Sequence, residues 1–283
     1  MKNLKTKTLV DKYLDQHIAQ NKSADFVSKF IYRDILPHLP KKAENIDRAA
    51  ISEMLAAHKD RAGTKNLAFS QSRAMLNWLH DFGYISENPV SGMRGPPPLR
   101  PRQRVLSDVE IGRFWRLVSR QGHSYENFYK VALLTGQRRL EVARMHSNDI
   151  QDHWWTIPAD QTKSGRPNTI FLTKFARKHL VRDRGYLLST SDQEPVKTFA
   201  SVQARLNKLF DGPHWTIHDL RRTFYTGMRR LGYTSEVAKR LCNHSISTDP
   251  LDAVYNLYDQ GPECKAAIKA WSKHVSKLTR QSK

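Results

Sequence analysis

Apolar residues recur at helical spacing through the first eighty positions. Leu9, Val10, Tyr13, Leu14 and Ile18 form one stripe, and Phe26, Val27, Phe30, Ile31 and Ile35 form a second, behind the N-cap candidate Ser23 and closed by Pro37 and Pro40. A weaker helix is predicted from about Asp47 to His58, and a stronger one through Leu67, Ala74, Met75, Trp78, Leu79 and Phe82, ending at Gly83, a natural left-handed terminator. The stretch Gly95 to Arg104, with four prolines and three arginines, cannot continue a helix and reads as a basic linker. Beyond it, Leu106-Ser107-Asp108 opens a helix and Phe128 to Leu134 supplies a further apolar one. Strand signals occur only in the middle, where Trp154 to Pro158 and Thr169 to Leu172 flank the turn-rich tip Lys163-Ser164-Gly165-Arg166, a β-hairpin pattern. From Val202 onward the pattern is helical again, broken at Asp211-Gly212-Pro213 and at Asp249-Pro250. The prediction is a mainly α protein with a small β-sheet (α+β): an all-α unit over 1–94, a linker over 95–104, and a larger unit over 105–283.

Composition narrows the possibilities. The 283 residues are 39% hydrophobic, too apolar for a disordered chain, and no stretch approaches the ~20 uninterrupted apolar residues of a membrane span. Lys and Arg number 47 against 27 Asp and Glu, a net charge of +20, which calls for a polyanionic partner, and nucleic acid fits best. Two cysteines, Cys242 and Cys264, make no disulfide framework and, with no N-terminal apolar run, point to a reducing, cytoplasmic setting. Cys242-x-His244 lacks the spacing and the fourth ligand of a zinc site, so no metal is expected.

Three separated clusters carry chemistry: Thr135-Gly136-Gln137-Arg138-Arg139-Leu140-Glu141, then Thr162-Lys163-Ser164-Gly165, then His218-Asp219-Leu220-Arg221-Arg222 followed by His244 and Tyr255. Each alone is weak evidence, since a Gly-x-Arg-x-x-Glu run is commonly a solvated helix start and a lone tyrosine a core aromatic. In this order, with a lysine-tipped hairpin between the arginine clusters, they resemble the tyrosine recombinases, the phage-integrase family. The resemblance runs from Leu106 onward, and the first unit, ending in Asn88-Pro89-Val90, is less specifically similar to the family's core-binding domain.

The resemblance implies a catalytic domain in which Arg138 and Arg221 bind the non-bridging oxygens of a scissile phosphate, Glu141 supports Arg138, Lys163 protonates the leaving 5′-oxygen, and His218 and His244 complete the site. Tyr255 would attack phosphorus and form a 3′-phosphotyrosine without any cofactor. Two points stay open. Tyr255 follows His244 by eleven residues, a longer interval than the family's usual one, leaving Tyr258 as an alternative; Lys174 and Lys178 lie near Lys163. Arg100, Arg102 and Arg104 of the linker, with Arg139 and Arg222, are the expected DNA contacts. Trp78 and Trp115 follow apolar stripes and are expected in the core.

The implied activity is site-specific recombination or integration on double-stranded DNA by a protein of a phage or bacterial mobile element. Such a protein acts as a homotetramer on synapsed DNA, its free state open between monomer and oligomer, with room for accessory DNA-bending proteins. Phage and genomic-island integrases add an arm-binding domain, for which nothing is seen before Lys5. Two other readings remain: DNA relaxation of the type IB topoisomerase kind, and a non-catalytic DNA-binding protein on an integrase scaffold. The apolar stripe Ala266, Ala267, Ile268, Ala270, Trp271, Val275 and Leu278 suits packing on a neighbouring protomer or on its own domain equally well.

Overall fold

The computed structural model describes residues 4–189, 191, 193–244 and 261–281. It divides into two units, Met1–Pro101 and Arg102–Lys283.

In the first unit, α1 (Thr6–Tyr13) and α2 (Ala24–Phe30) each run on into a wider π turn, and α3 (Arg48–Ala56) and α4 (Ala62–Asp81) complete the bundle. The Asp47 side chain caps α3 by accepting the Ala50 N–H at 2.7 Å. Both predicted N-terminal stripes enter one core except for Phe26, which is 57% exposed, and in the later stripe of α4 Ala74 is exposed and Phe82 is 65% exposed. Each phenylalanine stands at the edge of its helical face, and Phe82 stacks on the buried Trp78 with ring centres 4.8 Å apart. Ser23 precedes α2 without a side-chain cap bond.

Much of the proline-rich stretch is held by one unit or the other. On the first side, Arg73 donates to the Met93 carbonyl at 3.0 Å, Asn66 to the Pro97 carbonyl at 3.2 Å, and Gly95 lies so close to Phe69 that a Cβ would come within 2.6 Å of the ring. On the second, Arg102 donates to Asp219 at 2.8 Å and Arg104 to Glu110 at 2.6 Å.

The second unit is built around α6 (His123–Thr135), whose run from Phe128 to Leu134 is buried throughout, Lys130 included. Around it pack α5 (Asp108–Val118), the short α7 (Arg139–Ala143), α8 (Lys174–Arg177), α9 (Phe199–Leu209), α10 (Ile217–Arg230), α11 (Ser235–Leu241) and α12 (Gly261–Gln281). Ser107 and Glu110 form the capping box that starts α5, the Ser107 N–H donating to Glu110 at 2.8 Å. The sheet has three antiparallel strands in the order β1 (Ile150–Gln151), β2 (Trp154–Ile157), β3 (Asn168–Phe171). The expected hairpin is β2–β3, in register from Trp154 opposite Phe171 to Ile157 opposite Asn168. Strand β1 is an addition the sequence pattern did not announce, because two residues are too few to alternate.

The terminal stripe packs on its own unit. Trp271 is buried, donates its indole N–H to the Leu133 carbonyl of α6 at 3.0 Å, and meets Phe224 of α10 edge-on. At the crossing of α10 and α12, Gly227 is required by shape, since a Cβ there would stand 2.2 Å from the Trp271 ring.

Candidate active site

The site begins with how α6 ends. Gly136 follows its last turn in the left-handed conformation (φ 67°), and the chain turns directly into α7, at whose N-terminus Arg138 stands. Glu141, one turn on and buried, accepts the Arg138 N–H at 2.8 Å and its guanidinium Nη1 at 2.8 Å. One carboxylate thus caps the helix and aims the arginine.

Arg221 arrives from α10. That helix is started by Thr216 and Asp219, and its Leu220, Phe224 and Met228 face the core while Arg221 lies one position round. Arg221 is itself buried, and its Nη1 donates to the Gly136 carbonyl at 2.9 Å. Its other terminal nitrogen donates to the Cys242 carbonyl.

The turn after α11 gathers these groups. Three successive carbonyls accept three side chains: Leu241 from Gln137 Nε2 at 2.8 Å, Cys242 from Arg221, and Asn243 from Arg138 Nη2 at 3.2 Å. The carbonyls at the end of a helix have no partner within it and carry its negative pole, so they suit cations and amide donors. Gln137, buried, also accepts Asn168 Nδ2 at 3.1 Å, tying the base of the hairpin to the same point.

The electrostatics are lopsided. Arg221 has carbonyl acceptors and no carboxylate partner among the described residues, and Glu141 serves as the one carboxylate beside two guanidiniums. Both histidines register the surplus. Burial first, then Arg222 and Arg221, press the His218 pKa below its usual value; burial, then Arg221, Arg138 and His218, take His244 down to about 4. These shifts place Arg138, Arg221, His218 and His244 in one neighbourhood. An arginine pair with a single carboxylate beside it suits an oxyanion, and planar guanidiniums match a phosphate's paired oxygens.

Lys163 lies in the β2–β3 connection, exposed and without an ion pair among the described residues. The loop reaches the cluster through Ser164, whose hydroxyl donates to Asn243 Oδ1 at 3.2 Å. Tyr255 and Tyr258 lie outside the described residues.

The expected DNA contacts fall into different settings. Arg100 is exposed. Arg102 and Arg222 share the fully buried Asp219, at 2.8 and 2.7 Å, and Arg104 makes a two-pronged pair with Glu110 at 2.6 and 3.0 Å. Burial works to raise the Asp219 carboxyl, but hydrogen bonds from Thr216, Arg102 and Arg222 together hold it below the usual carboxylate range. Arg139 lies over the Phe199 ring, 5.4 Å from its centre, away from the cluster. Sequence reasoning passed over Gln137 and Asn243. The signal for Asn243 was its place at a helix end just before a histidine; Gln137 offered none.

A small helical unit followed by a helical unit with a three-stranded sheet is an arrangement this chain shares with solved integrase structures. The sequence matches no protein-family model and no curated protein. Among solved structures, a lambda integrase dimer bound to a COC′ core site superposes with a TM-score of 0.69 at 20% identity, covering 87% of this chain and 97% of that one. A lambda integrase tetramer bound to a Holliday junction gives 0.71 at 20% identity, covering 87% and 79%. The Tn1549 transposon integrase in complex with transposon right end DNA gives 0.63 at 14% identity, covering 96% and 100%. The likeness is one of fold.

Proposed function

We propose that this chain is a site-specific DNA recombinase that cuts and rejoins strands through a 3′-phosphotyrosine. The observation that carries the reading is the pair of guanidiniums, Arg138 and Arg221, brought from distant segments onto adjacent carbonyls, with Glu141 as the carboxylate that holds Arg138. In this reading Tyr255 attacks the scissile phosphorus, the new P–O(Tyr) bond forms as P–O5′ breaks, and Lys163 gives its proton to the departing 5′-oxygen. The two arginines hold the non-bridging oxygens, whose charge grows in the transition state; losing one such donor typically costs about 10²–10³ in rate. His218 and His244 border the same oxygens. Religation reverses the step, the 5′-hydroxyl returning its proton to Lys163. The bond energy is kept in the phosphotyrosine, so no nucleotide is consumed.

The DNA-bound dimer and tetramer of lambda integrase favour action as an oligomer on synapsed duplexes, with the first unit as a core-binding domain. The net charge of +20 supplies the general attraction to phosphate. No described helix is long and apolar enough to cross a membrane.

The test is a library of nicked duplexes with randomised cores, in which cleavage releases a short fragment and strands the enzyme on DNA. Covalent adducts recovered under denaturing conditions from the wild type, and absent for Arg138→Ala and Arg221→Ala, are the expected result. DNA binding with no adduct from any library member would refute the recombinase and leave a binding protein.

A further inference from the structure

Lys163 projects into solvent, yet its neighbours are tethered. The buried Thr162 hydroxyl lies 3.0 Å from the Ala159 carbonyl and 2.8 Å from the Arg166 carbonyl and donates to one at a time. On the other side, Ser164 Oγ donates to Asn243 Oδ1 at 3.2 Å, and Asn243 Nδ2 approaches the Arg166 carbonyl at 3.4 Å. The carbonyl can only accept, which fixes which end of the amide faces which partner. One side chain therefore grips the loop on both sides of Gly165, while the same residue's carbonyl holds Arg138 Nη2 at 3.2 Å. Asn243 sits in the left-handed region (φ 46°), which asparagine tolerates and glycine adopts freely.

We propose that Asn243 is a positioning residue that keeps the Lys163 loop in register with the arginine pair, so that the lysine reaches the leaving 5′-oxygen while the guanidiniums hold the phosphate. The inference rests on the recombinase reading. It assigns Asn243 a task that core packing does not demand: its amide bonds are at the surface, and no buried polar group depends on them. Without the amide the loop keeps its internal Thr162 bonds and loses its link to the cluster. Misplacement of a reacting group by about 1 Å is enough to cost on the order of 10² in rate.

Asn243→Gly removes the amide and keeps the backbone conformation, and Ser164→Ala cuts the same link from the other side. Each is tested beside Lys163→Ala on the duplex selected by the adduct screen, in two forms: the natural phosphodiester, and one with sulfur in place of the bridging 5′-oxygen. The sulfur departs as a thiolate when the P–O(Tyr) bond forms and needs no proton. Asn243→Gly should cleave the natural bridge about 10- to 100-fold more slowly and recover most of that loss on the sulfur bridge, as Lys163→Ala should. Ser164→Ala should show a smaller loss with the same recovery, and the double variant should be no worse than Asn243→Gly. DNA affinity should stay within about threefold, because no phosphate contact is removed. Natural-bridge cleavage at the wild-type rate, or a loss that persists unchanged on sulfur, overturns the positioning role alone. A wild type that forms no adduct on either duplex overturns the recombinase reading and this role with it.

Discussion

Gly136 and Gly165 share a backbone conformation, with φ of 67° and 66°, but not their surroundings. A Cβ on Gly136 would lie 2.3 Å from Cδ1 and 2.5 Å from Cγ of Phe224; on Gly165 it would meet nothing within 4 Å. Placing alanine in the left-handed region costs about 1–2 kcal/mol, less about 0.4–1 kcal/mol returned because the unfolded chain has fewer states. Gly165→Ala should therefore lose about 1 kcal/mol. Gly136→Ala carries the same strain plus an overpacked contact with a buried ring, itself about 1–3 kcal/mol, for a total of about 2–4 kcal/mol. Phe224 cannot swing away, because it packs edge-on against Trp271. In a unit of this size each kcal/mol shifts Tm by about 2–4 °C, so thermal and urea unfolding should separate the two variants by several degrees. Gly136→Ala should also lose cleavage, since its carbonyl orients Arg221. Phe224→Leu should restore part of the stability of Gly136→Ala and cost stability in the wild type. Equal losses for the two alanine variants would refute the argument, leaving backbone strain as the whole effect.

Tyr255→Phe should abolish covalent adducts on a denaturing gel while DNA affinity stays within about threefold, whereas Tyr258→Phe should still form them; the reverse would move the nucleophile to Tyr258. Affinity should fall steeply with salt, with a logarithmic slope of about −0.9 per phosphate contacted, and a flat titration by fluorescence anisotropy would remove phosphate contacts as its source. His244, held at about 4 against an ordinary 6.5, contributes stability that is intact above the unfolded value and declines as pH falls from about 6.5 towards 4, because the unfolded chain takes the proton first. An oxyanion at the arginines reverses the local charge, so vanadate should raise the His244 pKa in an NMR titration; an unmoved value would place the anion elsewhere.

The helices, the hairpin and the charged clusters were legible because each rests on local pattern: stripe, cap, turn or motif. What escaped depends on partners far away in sequence. Gln137 and Asn243 work through carbonyls, which every residue has, so no residue type marks the acceptor. The linker arginines read as phosphate contacts, yet Arg102 finds a buried carboxylate 117 positions on. Phe26 and Phe82 fit a helical repeat but stand at its margin, where periodicity alone does not say which side water reaches. The terminal stripe announced a buried face without its neighbour, which Trp271 and Gly227 supply together by shape.

The three consecutive acceptors after α11 make the arginines' aim a matter of spacing rather than spelling. The buried side chains of Leu241 and Cys242 can be exchanged for other apolar groups of similar size without touching the Gln137 and Arg221 contacts, since those bonds end on the main chain. A single residue inserted or deleted just after Leu241 would instead shift the Arg221 and Arg138 acceptors by one place and turn His244 away at the same stroke. At its first two places this short turn should therefore be stricter about length than about which apolar residue fills the core, the opposite of what a search for fixed letters rewards.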